Sequence, residues 1–150
     1  MAEVSDLASH TGYLLRMVSN AVSHEFARRV ATEGVTVAEW VMLRALYGNE
    51  AIPPSALAAR MAMTKGAISK LADRLLEKGL IERTGNPADR RGHSLSLSAT
   101  GTATVPVLAE LADANDAAFF AVLDDADRAR LRGVLQALID RHGLSATPID

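Results

Sequence analysis

The chain has 150 residues, 49% of them apolar, which is enough for one ordinary domain with a sound hydrophobic core. It contains no cysteine, which excludes disulfides, thiolate metal sites and thiol-based redox sensing, and its net charge of −2 argues by itself against a nucleic-acid-binding protein. No apolar run is long enough to span a membrane and no signal-peptide pattern opens the chain, so we expect a cytoplasmic protein that does not contact membranes.

Two helices are predicted before residue 50. An amphipathic helix from about Asp6 to Ala31 is indicated by apolar side chains that recur every four positions. These positions are Leu14, Val18, Val22, Phe26 and Val30. Thr36 and Glu39 have the spacing of a capping box, which predicts a second helix that continues to Gly48.

Residues 55–78 have the pattern of a helix-turn-helix. Pro53 and Pro54 break the chain before a short helix from Ser55 to Met61. After a three-residue turn, Thr64 is placed to cap a longer helix that runs to Lys78.

A β-hairpin is predicted to follow. Residues 80–84 and the strictly alternating residues 94–98 read as two strands, joined by a long, polar and basic loop from Gly85 to His93. A further helix starts at Ser98 or Thr100 and reaches about Leu123, with Pro106 expected to bend it or to delay its start. A last helix ends near Gly143. The predicted fold class is mainly α with a small β-hairpin wing: a winged helix-turn-helix lobe plus a helical region.

The winged helix-turn-helix pattern points to DNA, because a helix fits the major groove while an adjacent hairpin can reach the minor groove. Burial of the apolar face of the 64–78 helix turns the opposite face toward solvent. That face carries Lys65, Gly66, Ser69, Lys70 and Asp73, together with Arg74. The net charge is +4 over residues 60–93. It is −2 over residues 1–59 and −4 over residues 94–150. Each basic residue alone could simply belong to a solvated surface, but five of them lie on the two elements that would meet one ligand.

Residues 55–101 resemble the MarR family of bacterial transcriptional regulators. The resemblance rests on Asp-Arg-Arg at 89–91, on Lys-Gly-Leu-Ile at 78–81 and on Leu-Ser-Ala-Thr-Gly at 97–101, and it extends to the preceding helix at 37–46. It implies one MarR-type domain over residues 1–150, with a DNA-binding lobe at about 36–98 and a helical dimerisation region at about 5–33 and 99–143. It also implies a homodimer on a pseudo-palindromic operator, with Arg90 or Arg91 in the minor groove and Asp89 holding the shape of the wing. The apolar stripes on the terminal helices agree with a dimer.

From the residues and the resemblance together, a set of DNA contacts is expected. Lys65, Ser69 and Lys70 are placed at major-groove edges, and Arg74 with Ser55 on phosphates. The full expected set is Ser55, Thr64, Lys65, Gly66, Ser69, Lys70, Arg74, Arg90 and Arg91.

The resemblance further implies a small aromatic or phenolic effector that binds between the helical region and the DNA-binding lobe. Candidate ligand-binding residues are Met17, Asn20, His24, Trp40 and Arg44. Arg44 could pair with a carboxylate and Trp40 could stack on a ring. The alternative is that Trp40 belongs to the core and that the others are ordinary surface side chains.

The sequence thus predicts a homodimeric repressor of transcription that binds double-stranded DNA and is released by a small molecule. The alternative is a dimeric winged-helix module that binds another protein instead of DNA. No phosphate-binding loop, nucleophile motif or metal-ligand spacing is found, so we expect neither an enzyme nor a cofactor or metal.

Overall fold

The structure is a computed structural model. It describes residues 2–86 and 89–145, except for the side chains of residues 86 and 89–91. Six α-helices and a two-stranded antiparallel hairpin follow one another in it. The helices are α1 (Thr11–Ala31), α2 (Val37–Leu46), α3 (Pro54–Met61), α4 (Lys65–Glu77), α5 (Ala99–Phe119) and α6 (Asp125–His142). The strands are β1 (Ile81–Asn86) and β2 (Asp89–Leu97), and short 3-10 turns lie at Leu7–Ser9 and Phe120–Val122. The predicted fold class is confirmed.

The helix boundaries follow local signals that the sequence carries. Thr36 accepts a hydrogen bond from the Glu39 amide (3.1 Å), and the Glu39 carboxylate accepts one from the Thr36 amide (3.0 Å), which completes the predicted capping box. Thr64 caps α4 by accepting from the Ala67 amide (3.1 Å), and Pro54 occupies the first turn of α3.

The structure corrects one sequence expectation about residues 85–93 and narrows another about Pro106. The predicted loop from Gly85 to His93 is largely strand: Gly85 pairs with His93 and Asn86 with Asp89, because the hairpin ladder continues past a register shift. Pro106 was expected to bend α5 or to delay its start; of these two alternatives the delay is excluded, because α5 starts at Ala99 and runs through the proline. The Ser98 cap and the burial of Val105 outweigh the hydrogen bond that the proline removes.

One hydrophobic core joins the winged-helix elements to the helices on either side of them. Its fully buried members include Leu43 from α2, Leu57 from α3, Ile68 and Leu75 from α4, and Leu95 from β2. Val30 from α1 and Val105 and Leu108 from α5 belong to the same cluster. Among the described residues after Leu108, no apolar side chain is fully buried.

The hairpin is also fastened to the segment before α3. Ile52 exchanges two backbone hydrogen bonds of 2.8 Å with Leu95, which adds a single bridge to the outer side of β2. This bridge fixes the wing to the helix-turn-helix, and no alternating pattern around Ile52 indicates it in the sequence.

Candidate nucleic-acid interface

Helix α4 presents two chemically different faces. Ile68, Leu71, Ala72 and Leu75 are buried at helical spacing against the core. The opposite face carries Lys65, Gly66, Ser69, Lys70 and Arg74, and all five are exposed, as the sequence predicted. The face is therefore accessible along its whole length, with its N-terminal half the most basic.

The basic side chains of this face are free to meet a ligand. Within the described ranges, Lys65, Lys70 and Arg74 form no ion pair. The acidic Asp73 on the same face lies 3.4 Å from the guanidinium of Arg83, which reaches it from β1. Arg83 was missed in the sequence because only the hairpin geometry brings it back to α4. Its positive charge offsets the negative charge of Asp73.

Ser55 and Thr64 lie near the start of α3 and α4. Ser55 is exposed in the first turn of α3. Thr64 is exposed, but its hydroxyl is already used as the cap of α4. Gly66 has open space around the position of a Cβ atom, so its small size leaves room for an approaching partner.

The wing places its basic residues at the far end of the hairpin. Asp89, Arg90 and Arg91 lie at the start of β2. Their side chains lie outside the described part of the structure, so the roles predicted for them remain predictions.

A cleft of about 290 Å³ lies between α2 and α3. It brings together Trp40 and Arg44, two of the predicted ligand-binding residues, and adds Arg60 from α3. The Trp40 ring packs edge-on against Phe26 of α1 (6.4 Å between centroids), and the Arg44 guanidinium lies over the Tyr47 ring at 5.8 Å. An apolar wall with two cations is suited to a planar ligand that carries an anionic group.

The other three predicted ligand-binding residues are not part of this cleft. Met17, Asn20 and His24 are exposed along α1, and none of them lines it. Arg60 was missed because its position beside Arg44 depends on how α3 packs against α2. No local spacing in the sequence carries that information.

An ion pair between a buried carboxylate and a half-exposed lysine holds the C-terminal end of α4 to α2. Glu39 is fully buried, and the Lys78 ammonium donates to its Oε1 (2.9 Å) and lies 2.7 Å from its Oε2. Lys78 also donates to the Gly34 carbonyl (2.8 Å). Burial alone would raise the pKa of Glu39, but the hydrogen bonds from Lys78 and Thr36 outweigh it, so the pKa is lowered. Glu39 is thus ionised in the folded protein.

Neither a metal-binding cluster nor a membrane-spanning helix is found in the described part of the chain. Within residues 2–86 and 89–145, no group of three or more His, Asp or Glu side chains is arranged to hold a metal ion. None of the described helices is both long enough and apolar enough to cross a membrane.

The helix-turn-helix, the exposed basic face of α4 and the adjacent hairpin define a winged-helix transcriptional regulator. Sequence comparison then gives the family. The model of the MarR family matches residues 33–92, and the chain is 35% identical, over 88% of its length and 80% of the relative, to a protein named as a transcriptional regulatory protein for the hcr operon of Thauera aromatica. The chain belongs to the MarR family.

Two more relatives support this assignment. The multiple antibiotic resistance protein MarR of Salmonella typhimurium is 30% identical, over 69% of this chain and 74% of that protein. Among solved structures, a mutant of MarR from E. coli complexed with operator DNA superimposes with a TM-score of 0.74 at 25% identity, covering 85% of this chain and 92% of that one. The resemblance inferred from the sequence is confirmed.

Proposed function

We propose that this transcriptional regulator is a homodimeric repressor that binds a pseudo-palindromic operator and is released by a small aromatic anion. The observation that carries DNA binding is the exposed face of α4, where three cations without ion-pair partners in the described chain surround Ser69. The DNA-bound MarR structure, similar over most of both chains, supports the same use of this fold.

In this proposal each basic residue has a distinct role. Lys65 and Lys70 with Ser69 approach base edges in the major groove, and Arg74 with Ser55 binds phosphates. Arg90 and Arg91 extend from the wing into the minor groove, and Asp89 holds the wing in shape.

The apolar surface of the terminal helices supports the dimer. Large apolar side chains on α1 and α6 are exposed, Val134 by 59% and Met17 by 55%. The others on these helices are Tyr13, Leu14, Leu15, Val18, Leu138 and Ile139. An apolar groove of about 340 Å³ lies between α1 and the turn from α5 to α6. Exposed large apolar side chains concentrated on two helices of a small protein, with an apolar groove beside them, are typical of a subunit interface, so we place dimerisation at about 5–33 and 99–143.

The chain then forms one MarR-type domain in which residues 36–98 read DNA. We propose that it works in the cytoplasm, without catalytic activity. A winged-helix module that binds a protein instead of DNA is less well supported, because the exposed face of α4 is polar and basic and carries no exposed apolar residue.

The salt dependence of DNA binding tests the proposal. If each subunit contacts about four phosphates, a plot of log K against log salt has a slope of about −7 for the dimer. Arg74→Ala removes one phosphate contact per subunit, so we expect the slope to become less negative by about 2. The measurement is fluorescence anisotropy on a duplex selected from random sequence, repeated from low to high salt.

A control is Arg130→Ala, which removes an exposed arginine of α6 that pairs with Asp127 and lies outside the proposed DNA contacts; size-exclusion chromatography checks that this variant keeps the oligomeric state of the unmodified protein. We expect the slope of that variant to equal that of the unmodified protein. A slope near zero for the unmodified protein would contradict the proposal that it binds DNA. A wild-type slope in Arg74→Ala would contradict the proposal that Arg74 contacts a phosphate.

The effector cleft can be probed through Trp40, which is the only tryptophan in the chain. Because its ring lines the cleft, binding of benzoate or 4-hydroxybenzoate should quench its fluorescence. Loss of a charge-assisted hydrogen bond in Arg44→Ala or Arg60→Ala should weaken the apparent affinity by about tenfold.

The uncharged analogue benzamide and the variant Arg16→Ala, an exposed arginine of α1 outside the cleft, serve as controls. Quenching that is equal for benzamide and benzoate, or unchanged in both cleft variants, would show that the two arginines do not recognise the anion.

A further inference from the structure

Gly79 and Leu80, which follow α4 directly, are in contact with the start of α5. The Ser98 hydroxyl donates to the Gly79 carbonyl (2.6 Å) and accepts from the Gly101 amide (3.0 Å). The Ser98 amide donates to the Leu80 carbonyl (3.1 Å). One side chain therefore caps α5 and at the same time ties α5 to the end of α4.

The two backbones approach each other more closely here than any side chain would allow. A Cβ atom at Gly101 would lie 1.9 Å from the Leu80 carbonyl oxygen and 3.0 Å from the Leu80 carbonyl carbon. Neither atom belongs to a flexible side chain. Gly101 is therefore required for the contact, and the contact leaves little freedom between the two helices.

Helix α5 connects this contact to the helical region. Its first part packs into the winged-helix core through Val105 and Leu108, and further along Asn115 donates to the Val22 carbonyl of α1 (3.3 Å). At 21 residues it is about 31 Å long. A change at its first turn therefore alters where α4 lies relative to the far end of α5.

We propose that Ser98 and Gly101 fix the position of α4, the helix proposed to enter the major groove, relative to α5. They thereby set the distance between the two copies of α4 in the dimer, and so determine the half-site spacing that the protein accepts. The inference rests on the proposed dimeric binding of an operator. One base pair inserted between half-sites shifts them by about 3.4 Å and rotates them by about 34°. If the connection between α4 and α5 is rigid, α4 cannot move to reach a half-site that has been shifted and rotated in this way. If the connection is loosened, α4 can move and bind the altered half-site.

The test separates the two functions of Ser98. Ser98→Asp keeps an acceptor for the Gly101 amide, so α5 stays capped, but an ionised carboxylate has no proton to donate to Gly79. Ser98→Thr keeps both functions. The probe is the duplex selected by the unmodified protein, together with versions one base pair longer and one shorter between the half-sites, and the readout is the ratio of their dissociation constants.

We expect the unmodified protein and Ser98→Thr to bind the selected spacing at least tenfold more tightly than either altered spacing. In Ser98→Asp the ratio should fall below about threefold. Asn49→Ala removes side-chain hydrogen bonds to the Ala45 and Tyr47 carbonyls at the end of α2, outside both the proposed DNA contacts and the proposed dimerisation region, and should keep the wild-type ratio.

A purely structural role for Ser98 predicts that Ser98→Asp loses affinity equally at all three spacings. That result, or a wild-type ratio in Ser98→Asp, would overturn the inference. So would equal binding of the three duplexes by the unmodified protein. DNA binding with a strong salt slope but no spacing preference would overturn the inference while leaving the regulator's DNA binding intact, and no binding to any duplex would overturn both.

Discussion

Gly101→Ala is expected to lower the free energy of unfolding by about 3 kcal/mol, because a methyl group cannot be placed 1.9 Å from a backbone oxygen without separating α5 from Leu80. Separation would also lengthen the hydrogen bonds at Ser98 and disturb Leu97, whose side chain lies 3.3 Å from the new atom. The measurement is urea unfolding followed by circular dichroism, with the midpoint and slope fitted together.

Gly66→Ala is the matched control for this substitution. Gly66 lies in the first turn of α4 with no atom near the added methyl group, so we expect unchanged stability or a gain of up to about 1 kcal/mol. Equal unfolding midpoints for Gly101→Ala and the unmodified protein would show that the backbone at Leu80 and Gly101 accommodates a methyl group at little cost. That result would contradict the close contact.

Lys78→Met should destabilise the protein by about 3 kcal/mol, because it leaves the fully buried Glu39 carboxylate without its positive partner. Glu39→Gln should cost less, about 1 kcal/mol, since the neutral amide still accepts from Thr36 and the half-exposed Lys78 can turn to water. The double variant should therefore be more stable than Lys78→Met alone, and denaturant unfolding of the four proteins measures the coupling.

The same pair gives a pH dependence with a definite sign. The pKa of Glu39 is lower in the folded protein than in the unfolded chain, so the unfolded chain binds more protons as the pH falls through the usual glutamate range. The stabilisation is present above that range and is lost as the pH falls through the lowered folded pKa. Glu39→Gln should flatten this part of the stability profile. A profile of the same steepness in both proteins, or strictly additive effects of the two substitutions, would contradict the ion pair.

Local signals allowed most of the fold to be predicted. Thr36 and Glu39 indicate a capping box by their spacing alone, and the apolar period of α4 is sufficient to identify its exposed basic face. These features depend on residues three or four positions apart. The extension of the hairpin was missed because Asn86-Pro87 is a turn-forming pair in the sequence, which does not show that strand pairing continues as far as Asn86.

What the sequence could not supply are contacts between distant segments. Lys78 meets Glu39 across 39 positions, and Arg60 joins Arg44 only through the packing of α3 on α2. Arg83 reaches Asp73 because the chain reverses after α4. In the sequence, Lys78, Arg60 and Arg83 look like ordinary surface charges, since nothing local distinguishes a paired charge from a solvated one.

The shared core has a consequence for how such a protein can be recombined in evolution. The winged-helix elements bury Val30 and Leu108, which belong to helices outside residues 36–98. A gene fragment that encoded only residues 36–98 would leave the core side chains that pack against Val30 and Leu108 facing water. The segment is therefore not a module that can be grafted between unrelated proteins. A fusion that transfers its specificity has to carry the flanking parts of α1 and α5 as well.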